Sequence, residues 1–484
     1  MIQNGSIVFA FSFLLTAARL TGQGVSIAQE HADKAAEFVQ RGNLKDAEAE
    51  LRKALQLSPE DPTLLTSLGG VLGMEGDLAG ANPYLARAVK LKPQDALLRR
   101  NLAANQWQLG RLREAHENLE GLLRANPQDG VATFLMGVVC ENEGDYPRSI
   151  QLLESIPVAH RQPEAVVALA SSYYHTGRRE EGQSTLKILR GRPVQARVMF
   201  LAGRVALEGR DYALAETLLS VVRSTYSDPA AVESQIALAQ YRQGHTLKSE
   251  KTLAEAMQAN HMNQEAYLLW CKMLADRGAY DRALQVAKDA AHAFPASYEV
   301  FSTKGSLEMH LLYYSDAVNS FEKASRLRAS PEAMRELALA QWRVGNRKAA
   351  KSTFEDVMRQ FPRDAEGYQE YGTLLLEDGS PEGKAHAVEL LKQAITVNDA
   401  LVEARYQLAN LDLAEGKPED ALPYLQGAIK LDPKDSRLHF ALSRALRRLG
   451  RDTDADKEME TFQKLKAAEQ SAARNGSASG IPQQ

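Results

Sequence analysis

The feature that most constrains this chain is a glycine that returns about every 34 residues. Gly42, Gly76, Gly110, Gly144, Gly177, Gly209, Gly244, Gly278, Gly345, Gly379, Gly416 and Gly450 keep the beat, and one beat is missed at Leu312. Local slips cancel, so the register survives along nearly the whole chain. Such a sequence does not call for one central core. It specifies an array of similar units, each packed on its neighbours.

Two further positions keep the same time. Five residues after most of these glycines stands a small residue: Ala47, Ala81, Ala115, Ser149, Gly182, Ser249, Ala283, Ala350, Ala421 and Ala455, with Ala215, Ala317 and Ala387 in shifted copies. Prolines close several units at Pro59, Pro93, Pro127, Pro295, Pro362 and Pro433. Ahead of each glycine, apolar residues recur at helical spacing, as in Leu65, Leu68 and Leu72 or Tyr267, Trp270 and Leu274, which predicts one buried stripe on a first helix. Glycine gives that helix an exit with positive φ. A second amphipathic stretch follows, such as Ala81, Leu85 and Ala88, and the small residues let the two helices cross closely. Asp61-Pro62, Asp228-Pro229 and Ser330-Pro331 each place a capping side chain before a proline at a helix start. The unit is helix, tight turn, helix, and the chain is all-α.

With these residues in place the chain closely resembles the tetratricopeptide repeat family. Residues 61–94 carry Leu65, Leu68, Gly69, Leu72, Ala81, Leu85, Ala88 and Pro93 at the family's signature positions. Residues 264–297 repeat the pattern with Tyr267, Cys271, Leu274, Gly278, Tyr280, Ala283, Ala290 and Pro295. About thirteen units run from Ala28 to roughly Gln470. The resemblance implies a right-handed α-solenoid, a superhelix of stacked antiparallel helix pairs. The units within Gly130–Pro193 lose the closing proline and carry Pro157, Pro163 and Pro193 in unusual places, and the unit near Gly379 holds an insert, SPEGKAHA. Ordinary drift accounts for these, a local bend or altered groove being the alternative. Leu312 suggests a tighter or helical turn.

The N-terminus differs in kind. Ile7 to Ala18 is a short apolar run, too short for a relaxed membrane span, and Ser26 and Ala28 suit a small-residue cleavage site. It reads as a secretory signal without a basic leader, a retained anchor or a misplaced start being the alternative. The expected organisation is 1–28 signal peptide, 29–470 repeat array and 471–484 disordered tail, in a periplasmic or secreted protein.

Lys and Arg number 58 against 62 Asp and Glu, a net charge of −4, which does not suit a nucleic-acid binder. Cys140 and Cys271 fall four units apart. At about 10 Å per packed layer they lie far beyond the roughly 7 Å reach of a disulfide, so both are expected as buried small side chains. The ten histidines are scattered, with no HExxH and no Cys/His cluster at metal spacing. No nucleophile elbow or phosphate-binding loop stands out. The expectation is a protein that is not an enzyme and has no cofactor and no metal.

What remains is surface. The resemblance implies that the first helices line a concave groove that holds an extended or helical peptide. That register selects Arg100, Trp107, Phe134, Tyr174, Phe200, Arg204, Tyr241, Arg242, Lys272, Arg335, Trp342, Arg343, Tyr406, Asn410, Phe440, Arg444 and Arg447. Aromatics alternate with arginines, the residue types that dominate interface hot spots. Packing between first helices is the competing role for each aromatic. The family's carboxylate clamp is absent, since Ala32, Ala36, Thr66 and Gly70 occupy its positions in the first two units. Arg437, Arg444, Arg447, Arg448 and Arg451 cluster in the last unit, where Asp452, Asp454 and Asp456 favour a solvated face.

The function expected is a noncatalytic scaffold or adaptor for protein or peptide partners, with self-association compatible with such an array. The alternatives are an RNA-binding helical-repeat protein, which would want a basic groove, and a structural subunit of an envelope export or assembly complex.

Overall fold

The computed structural model describes residues 23–478, with side chains from 27 to 471. The chain divides into two units, one through Asn263 and one from Gln264. In the N-terminal unit the helices are α1 (Gln23–Gln40), α2 (Leu44–Leu57), α3 (Pro62–Glu75), α4 (Leu78–Leu91), α5 (Ala96–Gln108), α6 (Leu112–Ala125), α7 (Gly130–Glu143), α8 (Tyr146–Glu154), α9 (Pro163–His175), α10 (Arg179–Lys187), α11 (Ala196–Glu208), α12 (Tyr212–Val221), α13 (Pro229–Arg242) and α14 (Thr246–Gln258). The C-terminal unit holds α15 (Gln264–Asp276), α16 (Tyr280–Ala293), α17 (Tyr298–His310), α18 (Tyr314–Leu327), α19 (Pro331–Arg343), α20 (Arg347–Gln360), α21 (Ala365–Asp378), α22 (Pro381–Val397), α23 (Val402–Ala414), α24 (Pro418–Leu431), α25 (Ser436–Arg448) and α26 (Asp452–Ala478). No strand occurs among the described residues. Each unit is an α-solenoid in which an odd-numbered first helix pairs with the even-numbered helix after it, and that helix packs on the next first helix.

The turns follow the sequence logic. Gly76 takes φ +89°, and the Asp77 amide bonds back to the Leu72 carbonyl at 2.9 Å, closing α3 on its own carbonyls. Asp77 then accepts from the Gly80 amide and starts α4. At helix starts Asp61 accepts from Thr63 and Leu64, Asp228 from Ala231 and Ser330 from Ala333, each with a proline at the first position. The small residues after the turns are fully buried, Ala81, Ala115, Ala283 and Ala350 among them. A Cβ on Gly69 would sit 2.7 Å from Leu85 Cγ, and one on Gly305 2.8 Å from Phe321, so the paired helices meet at these glycines.

Two beats depart from expectation. Leu312 does not change the turn: it holds φ +64°, and the Tyr313 amide still bonds to the Glu308 carbonyl at 2.8 Å. A branched side chain there is strained by roughly 1–2 kcal/mol. Leu312→Gly is therefore expected to raise stability by roughly 1 kcal/mol, the gain being reduced by glycine's greater freedom when unfolded. A urea midpoint that stays put or falls would show that the side chain contributes packing which outweighs the strain. At Gly209 φ is −71°, and Arg210 takes the left-handed conformation instead, at +58°. Gly209 is kept small for another reason: a Cβ there would collide with the Tyr174 ring.

The irregular units have a physical form. α8 and α10 shrink to nine residues each and α12 to ten, against 14 in α2, α4 and α6. The insert near Gly379 does not loop out; it is absorbed into α22, 17 residues long and capped by Ser380. At the C-terminus α26 continues to Ala478, into the stretch expected as a tail, while 479–484 lie outside the described residues. Ile7 to Ala18 also lie outside them. Ala28, the expected cleavage residue, is buried within α1. No described helix is long and apolar enough to cross a membrane.

Candidate partner-binding face

Two positions one turn apart on each first helix define the inner line, and the two units treat it differently. In the N-terminal unit the line is mostly filled, with Arg100 on α5 and Arg204 on α11 half-buried. Thr66 and Gly70 on α3, Ala104 on α5, Phe134 and Val138 on α7, Val167 and Ser171 on α9, and Phe200 on α11 are all buried. Ala104, Trp107, Phe134 and Val138 belong to one apolar cluster. In the C-terminal unit the line is open. Leu268 and Lys272, Ser302 and Ser306, Arg335 and Leu339, Gln369 and Thr373, Tyr406 and Asn410, and Phe440 and Arg444 are all half-buried or exposed.

This sorts the predicted set. Trp107, Phe134 and Phe200 are buried, and Trp342 is only 2% exposed, so these four serve the packing of layers rather than an open groove. The reason is shape: a wide ring on a line crowded by its neighbours is drawn into the core, where burying it is worth about 1.5–3 kcal/mol. Tyr174, Tyr241, Tyr406 and Asn410 are half-buried, and Phe440 is 40% exposed.

The cations are accessible but mostly occupied. Arg100 faces Asp129 at 3.6 Å, Arg204 faces Glu208 at 3.8 Å and Lys272 faces Asp276 at 3.1 Å. Arg335 lies 3.3 Å from Asp364 and 2.8 Å from Glu370, Arg343 3.4 Å from Glu377 and Arg447 2.7 Å from Asp456. Among the described residues Arg242 and Arg444 have no carboxylate at ion-pair distance, and Arg444 lies 5.9 Å from the Phe440 ring centre. The basic cluster at the end of the array is likewise matched, Arg437 by Asp435 and Glu403 and Arg451 by Asp454, so the solvated-face reading fits it.

In the N-terminal unit one polar pocket remains notable. Ser171, Tyr174, His175, Val205 and Glu208 line a space of about 70 Å³. Beside it Glu141 is buried and accepts from the Ser171 hydroxyl at 2.6 Å, and burial pushes its carboxyl above the ordinary range. The Tyr146 ring stacks on His175 at 4.3 Å. The volume suits a few waters and no peptide.

Folding also gathers donors that the sequence does not place together. His116, Cys140 and Glu143 bring ligand-type atoms within 4.8 Å of one another. His116 Nδ1 lies 2.8 Å from Glu143, and its Nε2 lies 3.3 Å from the Arg148 guanidinium. Burial pushes the Cys140 thiol up to about 12, so it stays protonated near neutrality. With both ring nitrogens engaged and a guanidinium beside them, the group reads as a hydrogen-bonded network, not a metal centre. Cys140 and Cys271 are both free and buried, and burial likewise pushes Cys271 up to about 12.

One tetratricopeptide repeat family model matches residues 33–96, 167–229 and 406–472, and a second matches 74–133 and 106–171, together more than half of the chain. The chain belongs to the tetratricopeptide repeat family. Among solved structures it is similar to yeast Tom70, at 16% identity over 93% of this chain and 97% of that one, with a TM-score of 0.40. It is also similar to the Cut9-Hcn1 hetero-tetramer of APC/C, at 12% identity over 90% and 93% with a TM-score of 0.38. A third is a tetratricopeptide repeat protein from Parabacteroides merdae, at 18% identity over 59% and 99% with a TM-score of 0.35. No curated protein matches by sequence. Tetratricopeptide repeats are typically noncatalytic and generally mediate protein–protein contacts, and in this member the accessible inner residues are concentrated in the C-terminal unit.

Proposed function

We propose that this tetratricopeptide repeat protein is a noncatalytic scaffold that holds a segment of a partner protein along the inner line of its C-terminal unit, in an exported or cell-envelope setting. The observation that carries the reading is the contrast in access: inner positions are open throughout from α15 to α25, whereas from α3 to α11 all but Arg100 and Arg204 are filled. A partner needs surface it can desolvate, and the continuous open line offers it without unpacking a core. The RNA-binding reading gains no support, because the inner cations are largely matched by the chain's own carboxylates and leave little free positive charge for phosphates.

The test is hydrogen exchange on the full chain with a partner recovered by crosslinking. Protection is expected on α19 to α25. A footprint confined to α3–α11 or to the second helices would overturn the assignment.

The exported setting rests on the apolar run Ile7 to Ala18 ahead of Ser26 and Ala28. Cleavage there leaves Ala32, Ala35, Phe38 and Val39, which α1 packs into the first apolar cluster. N-terminal sequencing of the native protein is expected to begin near Gln29. Recovery of Met1 from the soluble cytoplasmic fraction would remove the proposal of export.

A further inference from the structure

The open face is not evenly charged, and its imbalance is concentrated between α19 and α21. Arg335 stands on the inner line of α19 with its side chain 13% exposed, and it meets two carboxylates, Asp364 at 3.3 Å and Glu370 at 2.8 Å. The Glu370 contact is a hydrogen bond. The approach to Asp364 is not: Asp364 Oδ2, on a side chain only 6% exposed, accepts no hydrogen bond from Arg335 or any other described group. One guanidinium therefore serves two acids, and only one of them well.

A third acid stands beside them. Glu336 follows Arg335 on α19, is exposed, and has no cation at ion-pair distance among the described residues. Even so, burial is the main influence on its carboxyl and pushes it above the ordinary range, with Arg335 and His310 opposing. Glu370 is raised in the same way, with Glu336 and Asp364 adding like-charge repulsion. Asp364 and Glu370 thus share one guanidinium, Glu336 makes no ion pair among the described residues, and His310 is stacked on Tyr280 at 4.8 Å. Leu339, one turn beyond Arg335 on α19, and Leu376, further along α21, are half-buried and offer an apolar flank.

We infer that this stretch of the face receives a lysine or arginine side chain from the partner segment, its charged end at Glu336 and Glu370 and its apolar stem along Leu339 and Leu376. The inference rests on the scaffold reading above and specifies its partner. It reverses what the inner-line arginines suggest on their own, which is recognition of acidic groups. Most of those arginines are already matched, and an acidic segment would bring further negative charge into a surplus of it, whereas a cation relieves the repulsion. A long basic side chain also suits a half-apolar groove, since its methylenes can lie on leucine while its head reaches the carboxylates.

The experiment is selection of random twelve-residue phage-displayed peptides on the immobilised full-length protein, repeated on Glu336→Gln/Glu370→Gln. The selected sequences are expected to carry Lys or Arg beside an apolar residue. A representative synthetic peptide should lose about tenfold in affinity on the variant, a change appropriate to removing close charge partners. Thermal melting checks that the variant is folded. If the double variant melts early, Glu336→Gln alone carries the test, because Glu336 makes no ion pair to break; there a loss of about threefold is expected. Selected peptides that are acidic or indifferent to charge, or basic peptides bound equally by parent and variant, would overturn the inference while leaving the scaffold reading in place. Failure of the parent to select any sequence would remove the open face as a peptide site and the inference with it.

Discussion

Trp342→Ala is expected to destabilise the C-terminal unit by about 3–5 kcal/mol, the range for truncating a buried large aromatic. Trp342 is 2% exposed and packs in one apolar cluster with Ala338, Ala350, Phe354 and Tyr371. Its indole is also covered by the Arg347 guanidinium, 3.9 Å from the ring centre, and Arg347 donates to the Trp342 carbonyl at 3.1 Å. Removal of the ring would leave a cavity between two layers and strand that stacked cation. Arg343→Ala should change stability by less than about 1 kcal/mol, because its contact with Glu377 at 3.4 Å is exposed. The two adjacent residues therefore separate cleanly in urea denaturation. A midpoint for Trp342→Ala equal to that of the parent would mean that the indole is not part of the core. Binding lost in a combined Trp342 and Arg343 truncation would report unfolding rather than a lost contact.

The case of Trp342 marks the boundary of what the sequence makes legible. The repeat itself is plain, because each mark answers to local chemistry: glycine at positive φ, proline after a second helix, a small residue at a crossing. Gly76, Pro93 and Ala81 each do what the pattern implies. Even Leu312 obeys the register, since the surrounding hydrogen bonds impose the turn on a residue that resists it. The inner line is less legible because a register position fixes direction but not access. Trp342 and Phe440 both face inward by spacing, yet one is closed over and the other is 40% exposed. Access depends on how tightly successive first helices approach, a property of many side chains at once.

The acidic surplus was closer to the surface of the sequence. Glu336 and Glu370 stand one repeat apart at the same register, a signal that is passed over when only aromatics and arginines are counted as candidate contacts. The pairing of Arg335 with Asp364, by contrast, depends on the loop before α21 and has no periodic mark.

Replacing Tyr406 and Phe440 together by alanine is expected to weaken partner binding by about 2 kcal/mol or more, the threshold of an interface hot spot. These rings hold equivalent inner positions on consecutive first helices, α23 and α25, and neighbouring packed helices lie about 8–10 Å apart, so one extended segment can reach both. Each has surface left to bury. Phe440 is 40% exposed with its ring 5.1 Å from Phe462, and Tyr406 is half-buried with the Arg437 guanidinium 5.0 Å from its centre. Fully burying such a side chain is worth about 1.5–3 kcal/mol, so the part still exposed offers roughly 1 kcal/mol per ring. Two rings supply the expected loss, and because each has few torsions to freeze, little of it is offset by entropy. Tyr406 also contributes to the last apolar cluster, so Phe440→Ala alone provides the control with the least effect on folding. The measurement is calorimetric titration of the recovered partner against parent, single and double variants, with melting curves alongside. Equal affinities for parent and double variant would move the partner off α23 and α25. A loss that tracks the melting temperature, with Phe440→Ala silent, would assign both rings to packing.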